Sequence, residues 1–78
     1  MTGVTRVVIQ ESAEELKEKM NQQFQAKGHE RLQALYLLKT GQCQQVIEVA
    51  AIVGRSRSTV HRWLHTYQEG GLARLIGP

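Results

Sequence analysis

The stretch that decides the fold is Val46–His65, which reads VIEVAAIVGRSRSTVHRWLH. Within it, Ala50, Gly54 and Val60 are spaced four and then six residues apart. This spacing is typical of a helix-turn-helix, with a small residue where two helices cross, a glycine at the turn, and a β-branched residue inside the second helix. The second helix of such a motif usually lies in the major groove of DNA. The stretch therefore predicts a DNA-binding module.

The second helix of this motif is predicted to run over about Arg57–Glu69, with Ser56 as its N-cap. Its apolar residues recur at i, i+3, i+4 and i+7 and form a buried stripe: Val60, Trp63, Leu64 and Tyr67. The spacing predicts Trp63 as a core residue and not as a base-stacking aromatic. Arginine, serine and histidine can hydrogen-bond to base edges or to phosphate. The residues left outward, which we predict as DNA contacts, are Arg57, Ser58, His61, Arg62 and His65, with Thr66 beside them.

Positive charge is concentrated in the same half of the chain. The net charge is +3, but residues 31–78 carry a balance of +4 and residues 1–30 a balance of −1. No acidic residue lies between Glu48 and Glu69. A positive field in this half suits binding to phosphate. We expect contacts to the DNA backbone from Arg55 in the turn, and also from Arg31 and Lys39.

Length and composition argue against several other classes of protein. The 78 residues make one small domain, which leaves little room for a catalytic cleft, and the chain contains no Asp. No apolar run approaches the roughly 18 residues of a membrane span, and no signal-peptide pattern is visible. The single Cys43 suits a reducing cytoplasm. We therefore expect a cytoplasmic, nucleoid-associated protein that is not an enzyme and has no cofactor, membrane contact or small-molecule substrate.

Two histidines of the motif could, by their spacing, bind a metal ion. His61 and His65 are four residues apart and lie on one helical face. A zinc site needs further ligands, and the sequence HRWLH supplies no acid beside the histidines. We therefore predict no metal site.

Three further helices are predicted upstream, with bounds of about Ala13–Ala26, Glu30–Thr40 and Gln44–Val53. Ser12 and Glu15 have the spacing of a capping box at the start of the first helix. Gly28 is predicted to stop the first helix and Gly41 the second. The apolar stripe of the first helix consists of Ala13, Leu16, Met20 and Phe24.

The two ends of the chain complete the predicted organisation. Residues 1–10 are rich in β-branched residues and predict a short strand or extended arm around Val4–Gln10, which packs on the helices, pairs across a dimer or stays loose. Gly70 and Gly71 are predicted to end the last helix. A final turn then returns Leu72, Leu75 and Ile76 to the core. We divide the chain into an arm (1–10) and a helical domain (11–78) whose three-helix unit covers about 30–69.

Two segments, RLQALYLLKTGQ (31–42) and VIEVAAIVGRSRSTVHRWLHTYQEGGLARLI (46–76), resemble the N-terminal DNA-binding region of bacterial insertion-sequence transposases related to the mariner elements. The residues that match the family signature are Ser56, Thr59, Val60, Arg62, Trp63, Leu64, Tyr67, Gly70, Gly71 and Leu72. The resemblance implies an all-α, homeodomain-like helix-turn-helix bundle of about four helices that binds terminal inverted repeats. By motif position, it implies DNA-facing roles for Arg57, Ser58, His61 and Arg62.

The chain also departs from that family. Those transposases cut DNA with a carboxylate triad in a large C-terminal domain that holds divalent metal. The sequence ends at Pro78, just past the LARLI turn, so we expect that these residues do not cut DNA alone. Arg55 occupies a turn position that is more often apolar in such motifs.

Three functions remain open at this point. The first is sequence-specific binding of double-stranded DNA through a recognition helix at about 56–69, by a stand-alone or truncated transposase-type domain that lacks the catalytic domain. The second is a small transcriptional regulator that binds a palindrome as a homodimer, paired through the arm and the first helix. The third is a protein–protein adaptor on the same scaffold, in which Arg57 and Arg62 could be replaced without consequence.

Overall fold

The structure is a computed structural model that describes residues 7–22 and 26–77, without the side chains of Ala26 and Lys27. The helices that it describes are α1 (Ala13–Gln22), α2 (Ala26–Lys39), α3 (Val46–Val53) and α4 (Arg57–Ile76). The described residues contain no strand, which confirms the predicted all-α class. None of these helices is both long and apolar enough to cross a membrane.

The two predicted N-caps are confirmed. The backbone N–H of Ser12 donates to Glu15 Oε1, and that of Glu15 donates to Ser12 Oγ, each at 3.1 Å. The Thr59 N–H donates to Ser56 Oγ at 3.2 Å. The first N–H groups of a helix have no partner within the helix, so these side chains satisfy donors at the starts of α1 and α4.

The predicted turn between α3 and α4 is confirmed at Gly54. This residue has φ 75° and ψ 31°, the left-handed conformation that glycine adopts without a steric cost. Its N–H donates to the Ala50 carbonyl oxygen at 2.9 Å, and the N–H of Arg55 donates to the same oxygen at 3.1 Å. These bonds end α3 and direct the chain into α4.

The start of α3 lies two residues later than predicted. The N–H groups of Gln44 and Gln45 donate to the Glu48 carboxylate at 2.9 and 3.1 Å. Glu48, the third residue of α3, thereby caps the two residues that precede the helix, and α3 begins at Val46. The same two hydrogen bonds lower the pKa of Glu48 from its usual value.

The prediction for the end of the first helix is wrong. Gly28, predicted as its stop, is buried inside α2, which begins at Ala26 and not at about Glu30. A glycine inside a helix costs only about 1 kcal/mol relative to alanine. Because α2 packs against all three other helices, the burial of its side chains outweighs that cost. Phe24, predicted in the apolar stripe, lies outside the described residues.

The core is largely aliphatic and is built around the predicted stripe of α4. Val60, Trp63, Leu64 and Tyr67 are all buried. Trp63 is therefore a core residue, as its spacing predicts. The largest fully buried side chains from all four helices are Leu16, Leu32, Leu35, Leu75, Val49 and Val60.

The break predicted at the glycine pair is present, but the helix resumes after it. Gly71 has φ 70° and ψ −165°, and helical structure continues to Ile76. The kink returns Leu75 to the core, where it is buried, and Leu72 and Ile76 pack against the core. The predicted return of the LARLI segment is confirmed.

We expect Gly71→Ala to lower the free energy of unfolding by about 1–3 kcal/mol, because this region of backbone space is essentially restricted to glycine. A Cβ built at Gly71 meets no atom within 4 Å, so the cost is in the backbone and not in packing. Urea unfolding followed by circular dichroism would measure it. A variant as stable as the parent would contradict the observed backbone conformation.

The described part of the N-terminal segment packs on the helices. Ile9 is buried, and its carbonyl oxygen accepts a hydrogen bond of 2.8 Å from Lys39 Nζ. The N–H of Gln10 donates to the Tyr67 hydroxyl oxygen at 3.0 Å. Of the three arrangements left open by the sequence, residues 7–10 adopt the first, as irregular chain and not as a strand. Residues 1–6 of the predicted arm lie outside the described residues.

We expect Tyr67→Phe to destabilise the domain by about 1–3 kcal/mol, because one hydroxyl holds the N-terminal segment on α4. It accepts from the Gln10 N–H and donates to Glu11 Oε1. Faster hydrogen exchange at the Gln10 amide, measured by NMR, would show that the segment has been released. An exchange rate equal to that of the parent would contradict this role.

The same hydroxyl predicts a pH dependence. Burial raises the pKa of Tyr67, and its hydrogen bond to Glu11 raises it further. The neutral phenol therefore stabilises the folded chain below the unfolded pKa of about 10, and this stability is lost as the pH rises through the folded pKa. As the pH rises from neutral through the folded pKa of Tyr67, the free energy of unfolding should fall more in the parent than in Tyr67→Phe.

Candidate nucleic-acid interface

The predicted contact residues of α4 lie together on one surface. At 3.6 residues per turn, they occupy an arc of about 140° on the side of α4 away from the buried stripe. All five side chains are exposed, whereas Thr66, also predicted outward, is half-buried. We call this surface the recognition face, and it consists of Arg57, Ser58, His61, Arg62 and His65.

The N-terminal half of the recognition face offers cationic donors. Arg57 and Ser58 lie in the first turn of α4, where the helix dipole adds positive potential. Within the described residues, neither Arg57 nor Arg62 forms an ion pair or a side-chain hydrogen bond. Their guanidinium groups can therefore donate to a ligand without breaking a contact that the structure shows.

The C-terminal end of the recognition face lies beside a carboxylate. His65 Nε2 lies 3.1 Å from Glu69 Oε2, one turn further along α4. Arg74 Nη2 lies 3.9 Å from the other oxygen of the same carboxylate. A carboxylate here opposes the approach of phosphate, so the part of the face best suited to DNA is Arg57–Arg62.

Arg55, predicted as a phosphate contact, is bound within the chain. Its Nε and Nη2 atoms each lie 2.8 Å from Glu30 Oε1 on α2. The Arg55 side chain is still 48% exposed, and that of Glu30 is 24% exposed. Sequence reasoning missed Glu30 because it lies 25 residues earlier, on a helix that meets the turn only after folding.

Arg31 and Lys39, also expected at the DNA backbone, hold parts of the chain together. Arg31 Nη1 donates to the Leu75 carbonyl oxygen at 2.8 Å, and its Cζ atom lies 5.7 Å from the centre of the Trp63 ring. Lys39 Nζ donates to Ile9 as described above. The geometry therefore does not support the contacts to the DNA backbone that were expected of these two residues.

Other chemistries have little support among the described residues. No group of three His, Cys, Asp or Glu side chains in residues 7–22 and 26–77 is placed to hold a metal ion. Cys43 is buried, and burial raises the pKa of its thiol, with a further contribution from the charge of Glu48. A raised pKa keeps the thiol protonated and less nucleophilic.

Comparison with known families agrees with this geometry. Residues 26–76, more than half of the chain, match the family of homeodomain-like domains. The chain belongs to the homeodomain-like family. The matched residues contain α2, α3 and α4 of this homeodomain-like domain, including the whole recognition face. Searches of curated proteins and of solved structures gave no match. Membership of a helix-turn-helix family suggests DNA binding as the role of that face.

In this homeodomain-like domain, most residues of the signature noted in the sequence build the scaffold. Ser56 and Thr59 form the N-cap of α4, and Gly71 forms its break. The apolar members lie in or against the core. Arg62 carries the only charge among the signature residues, and it is exposed. The signature is therefore mainly a signature of the scaffold, and Arg62 is its one member on the recognition face.

Proposed function

We propose that this homeodomain-like domain binds double-stranded DNA sequence-specifically by placing the N-terminal half of α4 in the major groove. The observation that carries the proposal is the exposure of Arg57 and Arg62 on one face, with no bonded partner among the described residues. The buried stripe fixes the rotation of α4, so this face points away from the core. A helix presented in this way fits the width of the groove.

The chemistry of the side chains gives each a role in this proposal. Arg57 and Arg62 are the candidates for base reading, because a guanidinium can donate two parallel bonds to guanine O6 and N7. Ser58 and His61 can donate or accept at base edges or phosphates. Arg55, at the edge of the face, is suited to phosphate.

We further propose that the domain is the DNA-binding unit of a transposase, and that these residues bind DNA without catalysing a reaction. Support comes from the signature residues, which occupy the cap, core and break positions that such a scaffold requires. In a bacterial cell, this activity would take the domain to the nucleoid. The expected target is a terminal inverted repeat, so duplexes from the ends of the surrounding element should be bound before unrelated duplexes.

The test of DNA binding is a titration of the 78-residue chain against random duplexes at several salt concentrations, followed by selection of bound sequences. We expect log K to fall linearly with log salt, with a slope of about −0.9 for each phosphate contacted. Repeated selection should enrich one motif. A folded chain that binds no duplex at low salt would contradict the proposal.

A second candidate function, a dimeric transcriptional regulator, is favoured by one observation. Ile47 and Ile52 on α3 are 56% and 54% exposed, which leaves apolar surface outside the core. A dimer formed there would bind two half-sites about 34–36 Å apart. Analytical ultracentrifugation, with and without a selected duplex, tests whether the domain forms this dimer.

A further inference from the structure

The ion pair between Glu30 and Arg55 joins α2 to the turn that precedes the recognition face. Arg55 Nε donates to Glu30 Oε1 at 2.8 Å, and Nη2 lies 2.8 Å from the same oxygen, so one carboxylate oxygen faces the Nε–Nη2 edge of the guanidinium. Both side chains retain exposed surface. The pair therefore lies at the protein surface, two residues before Arg57.

The Glu30 carboxylate weakens phosphate binding whether Arg55 leaves the ion pair or keeps it. If Arg55 leaves Glu30 to reach a phosphate, the ion pair must first be broken. If Arg55 keeps the pair and uses Nη1, which has no partner among the described residues, the bound phosphate still lies near the charge of Glu30. Charges this close interact within the screening length of about 8–10 Å at moderate salt. In both arrangements the negative charge lowers the affinity.

We propose that Glu30 lowers the affinity of the domain for DNA phosphate by neutralising Arg55. This inference rests on the proposed function and adds a residue that limits it. Exposed ion pairs are weak, so Glu30 reduces the affinity without preventing binding. Because phosphate contacts carry no sequence information, the reduction applies equally to all duplexes.

Glu30→Gln is the variant that tests the inference, since it removes the charge and keeps the size of the side chain. Dissociation constants would be measured for the parent, Glu30→Gln, Arg55→Ala and Glu30→Gln/Arg55→Ala. Each would be measured with two unrelated duplexes at several salt concentrations. Glu18→Gln is the matched control. It makes the same change of charge at an exposed position on α1, a helix that packs against α2.

We expect Glu30→Gln to bind both duplexes about two- to fivefold more tightly at low salt, with a steeper dependence on salt. Glu18→Gln should have a smaller effect. The gain from Glu30→Gln should shrink when Arg55 is alanine, because the guanidinium that Glu30 neutralises is then absent.

Three results would overturn the inference. Weaker binding by Glu30→Gln would show that Glu30 orients Arg55 towards DNA, and unchanged binding would show that the pair lies away from it. An equal gain with and without Arg55 would show that Glu30 acts as a general negative charge. Circular dichroism of each variant checks that it is folded.

The double variant Arg57→Ala/Arg62→Ala separates this inference from the proposed function. Suppose that the parent binds DNA, that Arg57→Ala/Arg62→Ala does not, and that Glu30→Gln binds no more tightly than the parent. The proposed function then stands, and only the role of Glu30 fails. If the parent itself does not bind at low salt, the proposed function fails and the role of Glu30 fails with it.

Discussion

Trp63→Ala is expected to lower the free energy of unfolding by about 3–5 kcal/mol, the usual cost of removing a large aromatic side chain from a core. Trp63 is only 6% exposed and lies on the buried stripe of α4. It also carries the Arg31 guanidinium on its ring, and Arg31 in turn donates to the Leu75 carbonyl. The substitution therefore removes apolar burial and loosens the contact that holds the C-terminal turn.

The loss is large relative to the stability of so small a domain. At 0.05–0.15 kcal/mol per residue, a chain of this length has about 4–12 kcal/mol in total. Trp63→Ala should therefore be largely unfolded or strongly destabilised in urea titrations followed by circular dichroism. Trp63→Phe keeps an aromatic ring in the core and should lose less. A Trp63→Ala chain that is as stable as the parent but no longer binds DNA would make Trp63 a base-stacking residue instead.

Arg57→Ala and Arg62→Ala are each expected to cost about 1–3 kcal/mol of DNA binding if the side chain reads a base. The two residues lie five positions apart on the recognition face and have no shared partner among the described residues. Their effects should be close to additive, so the double variant should lose about 2–6 kcal/mol. Since both side chains are exposed, neither substitution should change the stability by more than about 0.5 kcal/mol.

Loss of a base contact differs from loss of a phosphate contact in its pattern. Selection repeated with each variant should show a relaxed preference at one position of the bound motif. Arg55→Ala should instead weaken all duplexes alike and flatten the salt dependence. Lys17→Ala is the control, because it removes an exposed positive charge from α1, a helix outside the recognition face. An unchanged motif with Arg57→Ala and Arg62→Ala would contradict base reading.

Local features of the domain could be predicted because they depend on residues close in sequence. The cap of Ser56 on Thr59 spans three residues, and so does the capping box of Ser12 and Glu15. The periodicity of α4 gave its buried and exposed faces, which the structure confirms. The left-handed turn at Gly54 follows from the absence of a side chain.

Helix ends next to other glycines were harder to predict. Gly28 lies inside a helix, whereas Gly41 follows the end of one with φ 80°. The two differ in their surroundings, since Gly28 is buried and Gly41 is exposed. The cost of a helical glycine is small, so tertiary packing decides whether the helix continues.

The sequence alone determined the helix-turn-helix, the rotation of α4 and therefore the residues of the recognition face. Only the tertiary structure decided the roles of three other cations. Arg55, Lys39 and Arg31 bond to partners 25, 30 and 44 residues away. The sequence does not reveal which partner a charged residue has at such separations, because the partner comes near only when the helices pack.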